Sequence, residues 1–280
     1  RVTPITLWGV IMNKIRSALS ASLLAVAVGV PMHAAADPIP VDLELVLAVD
    51  VSGSVNAPRY QAQKTGYIEA FRNPLVHSAI GSGVIGSIAT TYMEWSGATQ
   101  QSQQVGWTQI GSAAEANAFA DTIEATTRAF SDLTGISQAI DWSVDSIQNN
   151  DFAGTRQIID ISGDGTDNTS GDPADARDDA VAAGMTINGI AIEEVTSISL
   201  TDYFANNVIG GDSSFVLTAD TFEDFEDAIL LKLQREIDPN GVPVPGTAAL
   251  FGLGLVLLAG GGRFSRRIAG APAQRPTVMA

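Results

Sequence analysis

No cysteine occurs among the 280 residues. That excludes disulfide staples, thiolate metal sites and every cysteine nucleophile, so stability has to come from an ordinary apolar core. Histidine is almost as scarce. Of the two, His33 falls in an amino-terminal apolar stretch, which leaves His77 in "RNPLVHSAI" as an expected surface residue. One histidine cannot build a multi-imidazole metal site, and it argues against a Ser-His-Asp triad. Positive charge is short as well. Residues 37–241 hold 31 Asp and Glu against 8 Lys and Arg, a net of −23. Such a body repels nucleic acid and anionic membrane surfaces, and both are discarded as partners. No G-x-S-x-G elbow and no G-x-x-x-x-G-K-[ST] loop appears, and the D-[ST]-G of aspartic proteases is spoiled in "DVSGS" by Val51. The commonest nucleophile and phosphate-binding signatures are therefore missing.

What is present divides into a body and two flanks. Residues 1–11 precede Met12, where the text of a secretory signal begins: Lys14 and Arg16, the apolar stretch Ala18 to Val30, then Ala34-Ala35-Ala36. A small-residue site of this kind predicts cleavage before Asp37, with an uncut membrane helix as the alternative. The body, 37–238, alternates strand-like and helix-like text. "LELVLAVD" (Leu43–Asp50) is a nearly continuous apolar run, as expected for a strand covered on both faces. Val84–Ser96 alternates with period two, and Gln103–Ile110 is placed beside it as a hairpin neighbour. Further strands are expected at "RQIIDISGD", "MTINGIAIE" and "SFVLTA". Helices are expected at Arg59–Phe71, Ala113–Arg128, Ile136–Ile147, Pro173–Ala183, Leu200–Ala205 and Phe222–Glu236. In the last, Phe222, Phe225, Ile229 and Leu233 make an apolar stripe at helical spacing. Strands separated by helices imply βαβ units: one α/β domain, a doubly wound, mostly parallel, Rossmann-like sheet flanked by helices. Sites in such folds form outside the carboxyl ends of the strands. Trp95 and Trp107, near strand ends, are read as packed residues, with surface anchors for a partner as the alternative.

The first strand ends in "AVDVSGSVN", where Asp50, Ser52 and Ser54 follow at i, i+2 and i+4 and Gly53 permits a tight turn. Three oxygen donors of this kind suit a hard cation such as Mg2+. Thr134, in "SDLTGISQAI", sits just before a helix, where a threonine ordinarily caps. In "IIDISGDGTDN" the run from Asp160 imitates the opening of an EF-hand loop, but its twelfth position is Gly171, where a bidentate carboxylate is required. Asp160 is then a strand residue, placed near the site, and Asp164 is the carboxylate at the strand end.

With these residues assembled, the chain resembles the von Willebrand factor A family, which also contains the integrin I domain. The metal-ion-dependent adhesion site of that family uses D-x-S-x-S after the first strand, a Thr from a middle loop and an Asp-Gly after a later strand; Asp50, Ser52, Ser54, Thr134 and Asp164-Gly165 match in order. "DVSGSV", "AFRNP", "YMEWSG", "VIGG" and "FEDFEDAI" are similar to a narrower group of exported bacterial A-domain-like proteins. The resemblance implies that Ser52, Ser54 and Thr134 ligate the ion and that Asp50 and Asp164 act wholly or partly through water. It implies Mg2+, or else Mn2+ or Ca2+. An under-neutralised ion then takes a carboxylate from a protein or an acidic polysaccharide partner.

After "DPNGVPVPGT", a Pro/Gly linker (239–246), comes the apolar run 247–262 and a basic tail (263–280) with Arg263, Arg266 and Arg267. Sixteen residues of helix span about 24 Å, short of a hydrocarbon core of about 30 Å, yet basic flanks suit a short anchor. The order resembles the PEP-CTERM sorting signal of Gram-negative bacteria, with Val244 where the usual Glu stands; that implies an exosortase-type processing enzyme. The sequence thus predicts a non-enzymatic, metal-dependent binding or adhesion module, exported to the cell envelope or surface of a Gram-negative bacterium. The alternatives are a structural envelope or matrix component whose ion only stabilises the fold, and a metal-dependent hydrolase.

Overall fold

A computed structural model describes residues 37–195 and 198–238. The expected signal, linker, hydrophobic anchor and basic tail lie outside the described residues. A compact unit begins at Pro38. The apolar run becomes β2 (Leu43–Asp50), buried at all eight positions. Its side chains point alternately to two cores: Leu43, Leu45, Leu47 and Val49 to one, Val46 and Ala48 to the other. That is why the run reads as continuous rather than alternating.

Around β2 the chain lays down β3 (Ile88–Trp95), β4 (Gln101–Ile110), β6 (Gln157–Gly163), β7 (Thr186–Ile192) and β8 (Val216–Ala219). The sheet order is β4-β3-β2-β6-β7-β8, and every pair is parallel except the β3–β4 hairpin. Helices α1 (Ala57–Arg72), α2 (Pro74–Gly81), α3 (Ala113–Glu124) and α7 (Phe225–Ile237) carry the side chains of the first core. Helices α4 (Ile136–Gln148), α5 (Pro173–Ala182) and α6 (Leu200–Asn207) carry those of the second. The chain winds outward from β2 through β3 and β4, then returns and winds the other way through β6, β7 and β8. The winding therefore reverses between β2 and β6, and their carboxyl ends open the crevice where such folds bind ligands.

Several elements differ from the sequence reading. Two three-residue strands, β1 (Ile39–Val41) and β5 (Phe152–Gly154), form a separate parallel pair. Helix α2 was not expected; Pro74 opens it and the Asn73 side chain accepts from Leu75 N at 2.9 Å. The alternation of Val84–Ser96 promised one wet face, but all eight residues of β3 are buried. Two of its polar side chains have partners: Thr91 donates to Val105 O, and Glu94 accepts from the Tyr60 hydroxyl (2.8 Å) and from Ala129 N (2.7 Å), whereas Thr90 Oγ1 has none. Val84 lies outside the strand and is 99% exposed. Phe222 precedes α7 but is still buried with Phe225, Ile229 and Leu233. Trp95 is fully buried, which removes it as a surface anchor, and half-buried Trp107 donates to Ser146 Oγ at 3.0 Å. His77 is half-buried, with Nε2 2.8 Å from Phe71 O.

Candidate metal centre

Asp50 is the last residue of β2, and the chain beyond it cannot continue straight. Val51 N still donates to Trp95 O (2.9 Å), but Ser52 N turns back onto Asp50 Oδ1 at 2.7 Å, and Val55 N closes a turn on Ser52 O. Asn56 then caps α1, its side chain accepting from Arg59 N. Within that turn Gly53 N donates to Asp132 O at 2.7 Å, and a Cβ on Gly53 would stand 3.3 Å from the same oxygen. The small residue thus lets the loop after β2 lie against the loop before α4.

Four of the five expected residues meet directly. Ser52 Oγ and Ser54 Oγ are 3.1 Å apart, and Ser54 Oγ donates to Asp164 Oδ1 at 2.5 Å. Asp50 joins through the backbone of Ser52. The fifth, Thr134, arrives from across the crevice: a Cβ on Gly165 would lie 3.7 Å from Thr134 Oγ1. Thr134 is not a helix cap, because the N-cap of α4 is Gly135 and no side chain of its own caps it. The hydroxyl is left for other work. Asp50, Ser52, Thr134 and Asp164 are buried, whereas Ser54 is exposed. Asp160 does not belong here. It faces α7, where it pairs with Lys232, so its expected place near the site is corrected.

The residues that hold this arrangement were not found in the sequence. Ser96 Oγ donates to Leu133 O and accepts from Asp132 N, while Ser96 O accepts from Gly135 N. Asn168 clasps Thr134 on both backbone groups, at 2.8 and 2.9 Å. Asp167 supplies the missing cap of α4, accepting from Ser137 N and Oγ. Arg128 donates to Val51 O, Ser52 O and Phe130 O from behind. Each acts across tens of residues, so no local pattern betrays it. The Arg128 guanidinium has a signal only in hindsight, as one of few cations in an acidic body.

Electrostatically the crevice lacks a positive charge at its centre. Burial, and next the charge of Asp164, push the Asp50 carboxyl up to about 7. Burial likewise raises Asp164, against the Ser54 hydrogen bond and the Arg59 charge. The Oδ2 atoms of both carboxylates are buried without a hydrogen-bond partner, and a Cβ on Gly163 would sit 3.2 Å from Asp50 Oδ2. Two buried, unpartnered carboxylate oxygens beside three hydroxyls fit a hard divalent cation better than any neutral occupant. Among the described residues no three His, Asp or Glu side chains converge to hold a metal. Hydroxyls must then make up the donor set.

A mostly parallel sheet reversing beside D-x-S-x-S, with Thr and Asp-Gly opposite, defines a domain of the von Willebrand factor A type. The chain belongs to the family described as "Protein of unknown function (DUF1194)", which matches residues 40–241. Similar solved structures include a von Willebrand factor type A protein from Catenulispora acidiphila (12% identity, 71% of this chain, 43% of that chain, TM-score 0.51). Another is the pilus adhesin SpaC from Lactobacillus rhamnosus GG (14% identity, 74% of this chain, 31% of that chain, TM-score 0.52). A third is proximal thread matrix protein 1 from the mussel byssus (16% identity, 70% of this chain, 46% of that chain, TM-score 0.48). The chain spans less than half the length of each of these three. No curated protein matches it.

Proposed function

We propose that this chain is a divalent-cation-dependent binding module whose partner completes the metal's coordination. Ser52, Ser54 and Thr134 are the direct ligands, with Mg2+ the first choice and Mn2+ or Ca2+ as substitutes. Asp50 and Asp164 hold the hydroxyls and orient metal-bound water. The bound ion would supply an incompletely neutralised positive charge, attractive to a carboxylate of a protein or acidic polysaccharide. The observation that carries the reading is the pair of buried, unpartnered Oδ2 atoms on Asp50 and Asp164, whose Oδ1 atoms meet Ser52 N and the Ser54 hydroxyl. Leu133, 51% exposed beside Thr134, gives the rim an apolar contact for the partner. The fold shared with a protein described as a pilus adhesin supports binding rather than turnover. Phosphate hydrolysis fits poorly, because all eight basic side chains of the described residues already have partners. Export to the envelope, anchoring through 247–262 and processing by an exosortase-type enzyme are part of the same proposal and rest on the sequence.

Calorimetric titration of Mg2+ and Mn2+ into the full chain tests it, beside Ser52→Ala and Asp164→Ala whose folding is checked by circular dichroism. One ion bound by the wild type and none by either folded variant is the expected result. Absence of binding in the wild type would overturn the reading.

A further inference from the structure

Away from the crevice, the middle of the first core holds three ionisable side chains that the metal reading does not use. Asp160 comes from β6, and Lys232 and Glu236 lie one turn apart on α7. All three are buried, the Lys232, Asp160 and Glu236 side chains having no exposure. Lys232 Nζ is 2.7 Å from Asp160 Oδ1 and 2.6 Å from Glu236 Oε1. Asn188 Nδ2 donates to the same glutamate oxygen at 2.9 Å. Nearby, Tyr67 packs against the rings of Tyr92 and Phe225, each with centroids 5.6 Å apart.

As an ion pair this arrangement is poorly made. Two carboxylates share one ammonium in a dry interior. Apart from the ion pair, neither Asp160 oxygen has a hydrogen-bond partner, and Glu236 Oε2 has none either. Buried ion pairs offset their desolvation only when further hydrogen bonds satisfy the remaining lone pairs. Near-attack geometry asks for reacting atoms about 3–3.5 Å apart, and a nitrogen 2.7 Å from Oδ1 lies in that neighbourhood of Cγ.

We propose that Lys232 and Asp160 become joined by an intramolecular isopeptide bond, Lys232 Nζ to Asp160 Cγ, with Glu236 as the proton carrier. Glu236 takes a proton from the ammonium, and the freed lone pair on Nζ attacks Cγ. The Cγ–O bond then breaks, and the departing oxygen collects two protons from nitrogen, one through Glu236, to leave as water. Carboxylate plus ammonium gives amide plus water, Glu236 returns to its starting state, and no oxidant or activating nucleotide is needed. The product keeps one N–H, which donates to Glu236 Oε1. A covalent strut then runs from the middle of the sheet to the helix that closes the domain.

The test is peptide mapping of the full chain, purified folded, then denatured and digested with trypsin. The bond blocks cleavage after Lys232, so the expected species is the peptide 157–177 linked to 178–235, lighter than their sum by one water and told from the isobaric uncut peptide 157–235 by tandem spectra that show two amino termini, at Gln157 and Asp178. Asp160→Asn is expected to expel ammonia instead and give a linked species of the same mass. Glu236→Gln, folded by circular dichroism, is expected to yield separate linear peptides. Linear peptides with free cleavage at Lys232 from the folded wild type would overturn the bond, leaving an ion pair. A linked Glu236→Gln protein would overturn the glutamate's role.

Discussion

Arg128 shows how a single residue positions a site it does not enter. Its guanidinium donates to Val51 O at 2.7 Å and Ser52 O at 2.9 Å while its Nε holds Phe130 O. Lysine has the charge but not the fork. Arg128→Lys should cost about 1–3 kcal/mol in lost charged hydrogen bonds and weaken Mn2+ binding, read by titration; unchanged affinity would deny the loop any role in holding the ion. Asp50 carries a pH dependence whose sign is fixed by its raised carboxyl, about 7 when folded against 3.8 ordinarily. A folded acid that keeps its proton longer contributes stability that is whole below the ordinary value and lost as pH rises through about 7. With chelator present, the melting temperature should therefore fall between about pH 4 and pH 7. Saturating Mg2+ should flatten that fall, since the ion replaces the proton. A decline that Mg2+ leaves untouched would place the titration elsewhere. Asp50, Ser52 and Ser54 were legible because they sit within five positions of one another. Ser96, Arg128 and Asn168 were not, because what makes them useful is a backbone carbonyl or amide contributed by a distant loop.

Among elements, the contact of α1 with α7 leaves no room for a methyl group at its centre. At Gly66, in the middle of α1, a Cβ would lie 2.9 Å from Phe225 Cδ1 and 3.2 Å from Ile229 Cγ2. Intrinsic propensity alone would make Gly66→Ala stabilising by about 1 kcal/mol. Overpacking a buried contact costs about 1–3 kcal/mol, so the substitution should lower stability, and a higher denaturation midpoint would show that α7 yields freely. Strand and helix identities were readable wherever burial on both faces, or a stripe at helical spacing, wrote itself into a long segment. β1 and β5 are three residues each and carry no period. The signal for α2 was present in Asn73-Pro74, a capping residue before a first-turn proline, but eight residues gave little room for a pattern. β3 misled for a physical reason: Thr91 and Glu94 are polar yet buried, satisfied by β4, Tyr60 and Ala129.

For the whole molecule, charge sets the terms. A net of −23 over residues 37–241 repels itself, and the few cations are spent on specific contacts rather than spread over the surface. Raising salt from about 0.01 M to about 0.15 M shortens the screening length from about 30 Å to about 8 Å. The melting temperature should rise across that range; a fall would mean that ion pairs such as Arg72 with Asp121 and Glu124 outweigh the repulsion. Arg156 adds something else. Its side chain donates to Glu236 O and Ile237 O at the end of α7, while its own carbonyl accepts from Glu44 N at the start of β2. β1, where the folded unit begins, pairs with β5 two residues before Arg156. The chain therefore comes in and goes out at one pole, and the crevice of Asp50 and Asp164 opens at the other. A domain built this way can be spliced into a longer polypeptide, or hung from either end on a stalk, and still face outward.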